Sequence, residues 1–261
     1  MTRPRRNRAA PAATRPRPAT LAVDGAGSRV ASVDALRGLA ILVMIAYHFA
    51  FDLDFFGVIG ADFERDRFWL SARAAIVSSF LLLVGVSLVL ADRAGFRWTA
   101  QLGRVALIGL CALAVSLASY FVYPQTYIYF GILHCIALSL LLARPLARRP
   151  RLALLLGLAV VFAGLALSHP AFDARLTSWL GFTTRRPPTQ DFVPLFPWLG
   201  VVLLGIALGH ALLRTRFAPI APLARAPRAL LWLGRHSLAV YMAHQPILMG
   251  ALWLVLRRPA V

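Results

Sequence analysis

The sequence predicts an all-α protein, a polytopic transmembrane bundle of about seven helical spans. Composition comes first: 59% of the 261 residues are hydrophobic and only 15% are charged. Mean hydropathy is +0.71, whereas a soluble domain carries about 25% charged residues. Second, apolar windows of roughly 17 to 25 residues recur, each long enough to cross about 30 Å of hydrocarbon. Third, these windows are continuous and lack the alternation of barrel strands, so helices must satisfy their backbone in lipid.

Residues 1–28, "MTRPRRNRAAPAATRPRPATLAVDGAGS", are Arg, Pro and Ala with few large apolar side chains. They read as a disordered basic tail on the cytoplasmic side, in reach of anionic lipid. The expected spans follow at roughly 33–53, 70–91, 103–122, 127–143, 152–168, 193–213 and 229–256. The loop after the first span, "DFFGVIGADFERDRF", carries four acids against two arginines. The loops at 92–104, 144–151 and 214–228 are Arg-rich, "ARPLARRPR" most clearly. With the tail inside, about 20 arginines fall inside and about 8 outside, as the positive-inside bias requires. The long segment 169–192 is then external and Pro-rich. Its opening, "HPAFDARLTSWLGF", predicts a short interfacial helix with Phe172, Leu176 and Trp179 against the bilayer. Pro246 is expected to disrupt the last span.

The net charge of +18 comes from arginine, with no lysine, placed in the tail and in short loops. That placement sets topology and excludes nucleic acid as a partner. Cys111 and Cys135 lie in apolar runs without metal-type spacing, so no metal site and no disulfide framework are expected. No internal repeat supports an inverted-repeat transporter.

The first span carries the densest chemistry. "SVDALRGLAILVMIAYHFAFDLDFFG", residues 32–57, contains Asp34, Arg37, His48 and Asp52. At about 100° per residue, Arg37 lies near −60°, His48 near −40° and Asp52 near 0° relative to Asp34. The stripe is about 60° wide and must face the bundle interior or a wet cavity. A rise of about 1.5 Å per residue splits it into two sites roughly 20 Å apart. Asp34 and Arg37 form an i,i+3 pair at the cytoplasmic end, holding each other or leaving Arg37 for an anionic ligand. His48 and Asp52 form an i,i+4 pair, in which a carboxylate on one imidazole nitrogen would raise basicity at the other. Further polar residues sit at comparable depth. His134 opens the fourth span, Asp191 and Trp198 stand at the outer mouth of the sixth, Arg235 is at the cytoplasmic end of the seventh, and His244 and Gln245 are mid-span.

Four stretches together resemble a known family: "RVASVDALRGLAILVMIAYHFAFDLDFFG", "TYIYFGILHCIAL", "DFVPLFPWLGVVLLGIALGH" and "LGRHSLAVYMAHQPIL". In this order they are similar to the bacterial branch of the heparan-alpha-glucosaminide N-acetyltransferase catalytic-domain family, within the transmembrane acyltransferase superfamily. The resemblance makes 29–257 one acyltransferase-like domain in a bacterial cytoplasmic (inner) membrane, with lipid bilayer around it and a homo-oligomer left open. It implies transfer of an acetyl or other acyl group from cytoplasmic acyl-CoA, a co-substrate rather than a bound cofactor, to an acceptor across the membrane. The acceptor would be an amine or hydroxyl, on a sugar or glycan. The superfamily's functional histidine maps onto His48 and its helix-start arginine onto Arg37. Asp52 is expected to act with His48, while Asp34, Arg37 and Arg235 are expected at the donor site. His134, Asp191, Trp198, His244 and Gln245 would line the site. The alternative is a transporter or permease whose buried His, Asp and Arg groups form a relay. A scaffold whose polar residues only join helices is the third reading.

Overall fold

The computed structural model describes residues 30–256. The expected tail, 1–28, and the C-terminal Arg257 and Arg258 lie outside the described residues. Among the described residues nine α-helices follow in order: α1 Ala31–Phe55, α2 Arg67–Arg93, α3 Trp98–Val122, α4 Ile132–Leu142, α5 Pro150–Ala166, α6 Arg175–Ser178, α7 Leu195–Arg214, α8 Arg228–Arg235 and α9 Ser237–Leu256. Helices α1, α2, α3, α7 and α9 are long and apolar enough to cross a membrane, and α4 and α5 are shorter apolar helices. No β-strand forms among the described residues; Phe130 and Phe192 share an isolated bridge.

Helix starts follow local chemistry. Asp66 caps α2 by accepting the Phe68 N–H at 2.7 Å. Pro150 opens α5, where its missing N–H costs nothing. The α4 start is satisfied from elsewhere: Asp191 Oδ2 accepts the Ile132 N–H at 2.9 Å.

Helix α7 is central, with Val202, Leu203 and Ile206 buried in the main apolar core. A Cβ at Gly85 of α2 would strike the Val202 carbonyl, and one at Gly205 of α7 would strike the Leu82 carbonyl. These glycines let two backbones approach closely, the packing mode that replaces hydrophobic drive in lipid. The same device joins α1 to α8, where Gly38 meets the Leu230 carbonyl and Gly234 meets that of Asp34. Helices α3 and α9 are peripheral. Their buried residues are Gln101, Ala112 and Ser119 on α3 and His244 and Leu252 on α9. Of the two cysteines, Cys135 is buried and Cys111 half-buried, and both are free thiols.

Three expectations change. The span at 229–256 is two helices, broken at His236 (φ −108°, ψ 24°), because Gly234 holds α8 against the start of α1. Pro246 does not interrupt α9. One lost backbone bond costs less than exposing a broken helix to hydrocarbon. Segment 169–192 carries only a 3₁₀ turn at Pro170–Phe172 and the four-residue α6. Leu176 there is 88% exposed, but Trp179 turns inward to Phe130, with ring centroids 5.6 Å apart. Asp173, which accepts the Thr184 N–H at 2.7 Å, folds the segment back on itself before a helix can extend. The Leu195 N–H to the Trp179 carbonyl (2.8 Å) and the Gln190 N–H to that of Thr126 (2.9 Å) tie the segment to the bundle.

Candidate functional site

At the end of the bundle where α1 begins, Asp34 is 5% exposed and is held from two sides. Arg37 Nη1 donates to its Oδ1 at 3.0 Å and Arg37 Nη2 donates to Ser87 Oγ on α2 at 3.0 Å. Arg235 Nε of α8 stands 3.6 Å from Asp34 Oδ2. The expected Asp34, Arg37 and Arg235 group is therefore assembled. Arg37 is held by Asp34 and Ser87. Nearby on α2, Asp92 binds both Arg144 and Arg148, and the Arg144 guanidinium lies 3.4 Å over the Phe96 ring.

Further along α1, His48 is half-buried. Its Nδ1 meets the Met44 carbonyl at 3.0 Å. A carbonyl only accepts, so Nδ1 carries the proton and Nε2 carries the lone pair. Asp52 does not orient this ring. A neutral imidazole has one N–H, and Met44 takes it. Asp52 is 1% exposed, and its Oδ1 accepts from Gln245 Nε2 at 2.6 Å across the α1–α9 contact. His48 instead meets a second imidazole: the His244 ring lies 4.9 Å away, at 74°. His244 Nδ1 donates to the Tyr241 carbonyl at 2.5 Å, which fixes the same tautomer there.

Asp191 acts electrostatically on both His48 and Arg73. Desolvation pushes its carboxyl above the ordinary aspartate value, and the Ile132 N–H opposes that shift. His134 is engaged at both nitrogens: Nδ1 accepts the Gly131 N–H and Nε2 lies 3.2 Å from Ser116 Oγ. It anchors the α4 start and stacks on Phe130 at 5.6 Å. Trp198 packs on the main apolar core. The structure thus joins His48, His244, Asp52 and Gln245 across α1 and α9, with Asp191 in electrostatic reach. His134 and Trp198 serve the surrounding packing.

Sequence reasoning missed Arg73. It is half-buried in the second turn of α2 and interacts with Tyr47, Glu64, Arg186 and Asp191. The signal was present: an arginine inside the apolar run "RFWLSARAAIVSSF" needs a partner or water.

A family model described as "Heparan-alpha-glucosaminide N-acetyltransferase, catalytic" matches residues 29–246. The chain belongs to this family. Membership points to a membrane acetyltransferase of the N-acetyl-transferring kind, and the family generally depends on acetyl-CoA. Neither a curated protein nor a solved structure matches the chain.

Proposed function

We propose that this protein moves an acetyl or similar acyl group from cytoplasmic acyl-CoA to an amine or hydroxyl acceptor on a sugar or glycan, with His48 Nε2 as base or nucleophile. One observation carries the reading. The His48 Nδ1–H is committed to the Met44 carbonyl, so the lone pair of a half-buried imidazole sits on Nε2. A ring held in one tautomer, with its basic nitrogen uncommitted, suits proton abstraction from an acceptor or attack on a thioester carbonyl. Asp52, one turn on, is held by Gln245 on α9 and does not orient the ring. The cationic group around Asp34, with Arg37 and Arg235, would lie on the cytoplasmic side and attract the donor's phosphates. It lies about 16 Å along α1 from Arg37 to His48, a span for the donor's arm to cover. Arg73 and Arg186 would border the acceptor side.

The test is transfer of labelled acetyl from acetyl-CoA by purified protein in liposomes, offered amino sugars and glycans. Transfer that needs CoA thioester and is lost in His48→Ala supports the reading. Substrate flux without CoA would replace it with the transporter.

A further inference from the structure

Asp173 closes the segment between α5 and α7 on itself: the Thr184 N–H donates to its Oδ1 at 2.7 Å and the Thr184 hydroxyl to its Oδ2 at 2.5 Å. That staple brings Arg175 together with Arg185 and Arg186 around a cavity of about 470 Å³, whose wall includes Tyr129 and Pro187. Helix α5 starts just after the Arg144–Asp92 and Arg148–Asp92 pairs, at the bundle end that holds Asp34. The cavity, which follows the other end of α5, therefore lies at the opposite end of the bundle. Arg175 is positioned before any ligand arrives. Its guanidinium sits 5.0 Å from the Tyr127 ring centroid and 5.6 Å from that of Tyr129, with Nη2 directed at the Gln125 carbonyl 3.5 Å away. Tyr129 is fixed in turn, its hydroxyl 2.7 Å from Oγ of the fully buried Ser178. Arg186 Nη1 donates to Glu64 Oε1 at 2.7 Å. Arg186 also acts electrostatically on Tyr47, Arg73 and Asp191, the groups around His48.

Three arginines thus converge on one concavity whose lining holds a single carboxylate, Asp173, already engaged by Thr184. Three positive charges against one negative leave the lining at +2. Glu64 stands outside the lining and is 67% exposed, so it offsets Arg186 only weakly. Like charges gathered in this way favour a counter-ion, and guanidinium forks match the oxygens of a tetrahedral phosphate. A phosphate monoester carries about −1.5 to −2 at neutral pH and balances this lining. A carboxylate or a sulfate ester carries one negative charge and leaves it positive. We propose that the cavity is a binding site for a phosphate monoester, gripped by Arg175 and Arg185 with Arg186 at its edge, while Tyr129 and Pro187 flank the rest of the ligand. The monoester can belong to a soluble molecule or to a lipid headgroup of the phosphatidic acid type. The site is distinct from the Asp34, Arg37 and Arg235 group, which lies at the other end of the bundle. It does not depend on the acyl-transfer reading. Through Arg186 it adjoins Asp191, so its occupant would sit on the His48 side of the bundle.

The experiment is calorimetric titration of the detergent-solubilised full chain with glycerol 3-phosphate, and with lactate and methyl sulfate as singly charged comparisons. Wild type, Arg175→Gln, Arg185→Gln and Arg148→Gln are measured without acetyl-CoA, so this test and the transfer assay fail separately. Glycerol 3-phosphate is expected to bind at least about 10-fold more tightly than either comparison. Arg175→Gln and Arg185→Gln should each weaken it about 10-fold or more, the loss of one charge-assisted contact. Arg148→Gln, at the other end of the bundle, should leave it unchanged. A second arm separates the sources: native mass spectrometry of the same proteins from mixed micelles containing phosphatidic acid or phosphatidylcholine. Phosphatidic acid retained by wild type and lost in both cavity variants, without glycerol 3-phosphate binding, assigns the site to a lipid headgroup. Glycerol 3-phosphate binding lost in those variants assigns it to a soluble ester, and either result supports the proposal. Should Arg175→Gln fail to fold, Arg185→Gln, whose side chain is exposed, carries the comparison. No binding in either arm, equal binding by all four proteins, or lactate or methyl sulfate binding as tightly as the monoester overturns it.

Discussion

Replacing Gln245 by leucine removes the donor that holds Asp52 Oδ1 at 2.6 Å. Asp52 is 1% exposed and its other oxygen already has no protein partner. The variant therefore leaves a buried carboxylate without a protein donor on either oxygen. A hydrogen bond to a charged group contributes about 1.5–3 kcal/mol. Interhelical bonds in membrane proteins fall toward the low end, because the unfolded chain in lipid also finds partners. A loss of about 2 kcal/mol is expected, or about 4–8 °C in thermal midpoint for a chain of this size. The control is Asp52→Leu combined with Gln245→Leu, which removes both polar groups at once and should recover most of the loss. Thermal unfolding of detergent-solubilised protein, followed by helix content, reads all three. A Gln245→Leu midpoint within about 1 °C of wild type would refute the reasoning. So would a double variant that loses at least as much as the single.

Asp92 offers an internal contrast. The Arg144 side chain is 8% exposed and that of Arg148 is 73% exposed, yet both bind Asp92. Arg144→Met should cost about 3 kcal/mol, while Arg148→Met should leave the midpoint nearly unchanged in the same unfolding assay; equal effects would contradict the burial argument. At the proposed donor end, Arg37→Ala should weaken acetyl-CoA binding by calorimetry, while Asp52→Asn lowers turnover and leaves donor affinity nearly intact. Equal loss of donor binding in both would contradict the division into two sites. The Thr184 N–H and hydroxyl hold the exposed Asp173 carboxyl below its usual range. Its stabilising effect is therefore present at neutral pH. It drains away as pH falls below the ordinary aspartate value of about 3.9, toward the lower folded value. Amide exchange at Thr184 should accelerate over that window, and exchange that ignores pH there, after correction for its intrinsic rate, would count against the account.

The helices were legible because lipid forces continuous apolar runs, and most span limits emerged within a few residues. The break at His236 was not, since it follows from Gly234 sitting against the Asp34 carbonyl, a contact between distant parts of the chain. In the site, the 100° periodicity placed Asp34, Arg37, His48 and Asp52 on one inward stripe, but spacing along one helix cannot name partners on another. Asp52 met Gln245, 193 residues away, and the nearer Met44 carbonyl claimed the His48 proton. Arg73 escaped notice because one arginine in an apolar run looks like a snorkelling side chain until its neighbours are known.

The central claim is that His48 Nε2 carries the chemistry, and His48→Asn tests it most directly. Asparagine can keep the donor to the Met44 carbonyl while deleting the basic nitrogen. In single-turnover transfer from labelled acetyl-CoA, the account predicts loss of at least about 100-fold in rate with donor binding retained. A His48→Asn protein that transfers acetyl at the wild-type rate would contradict it.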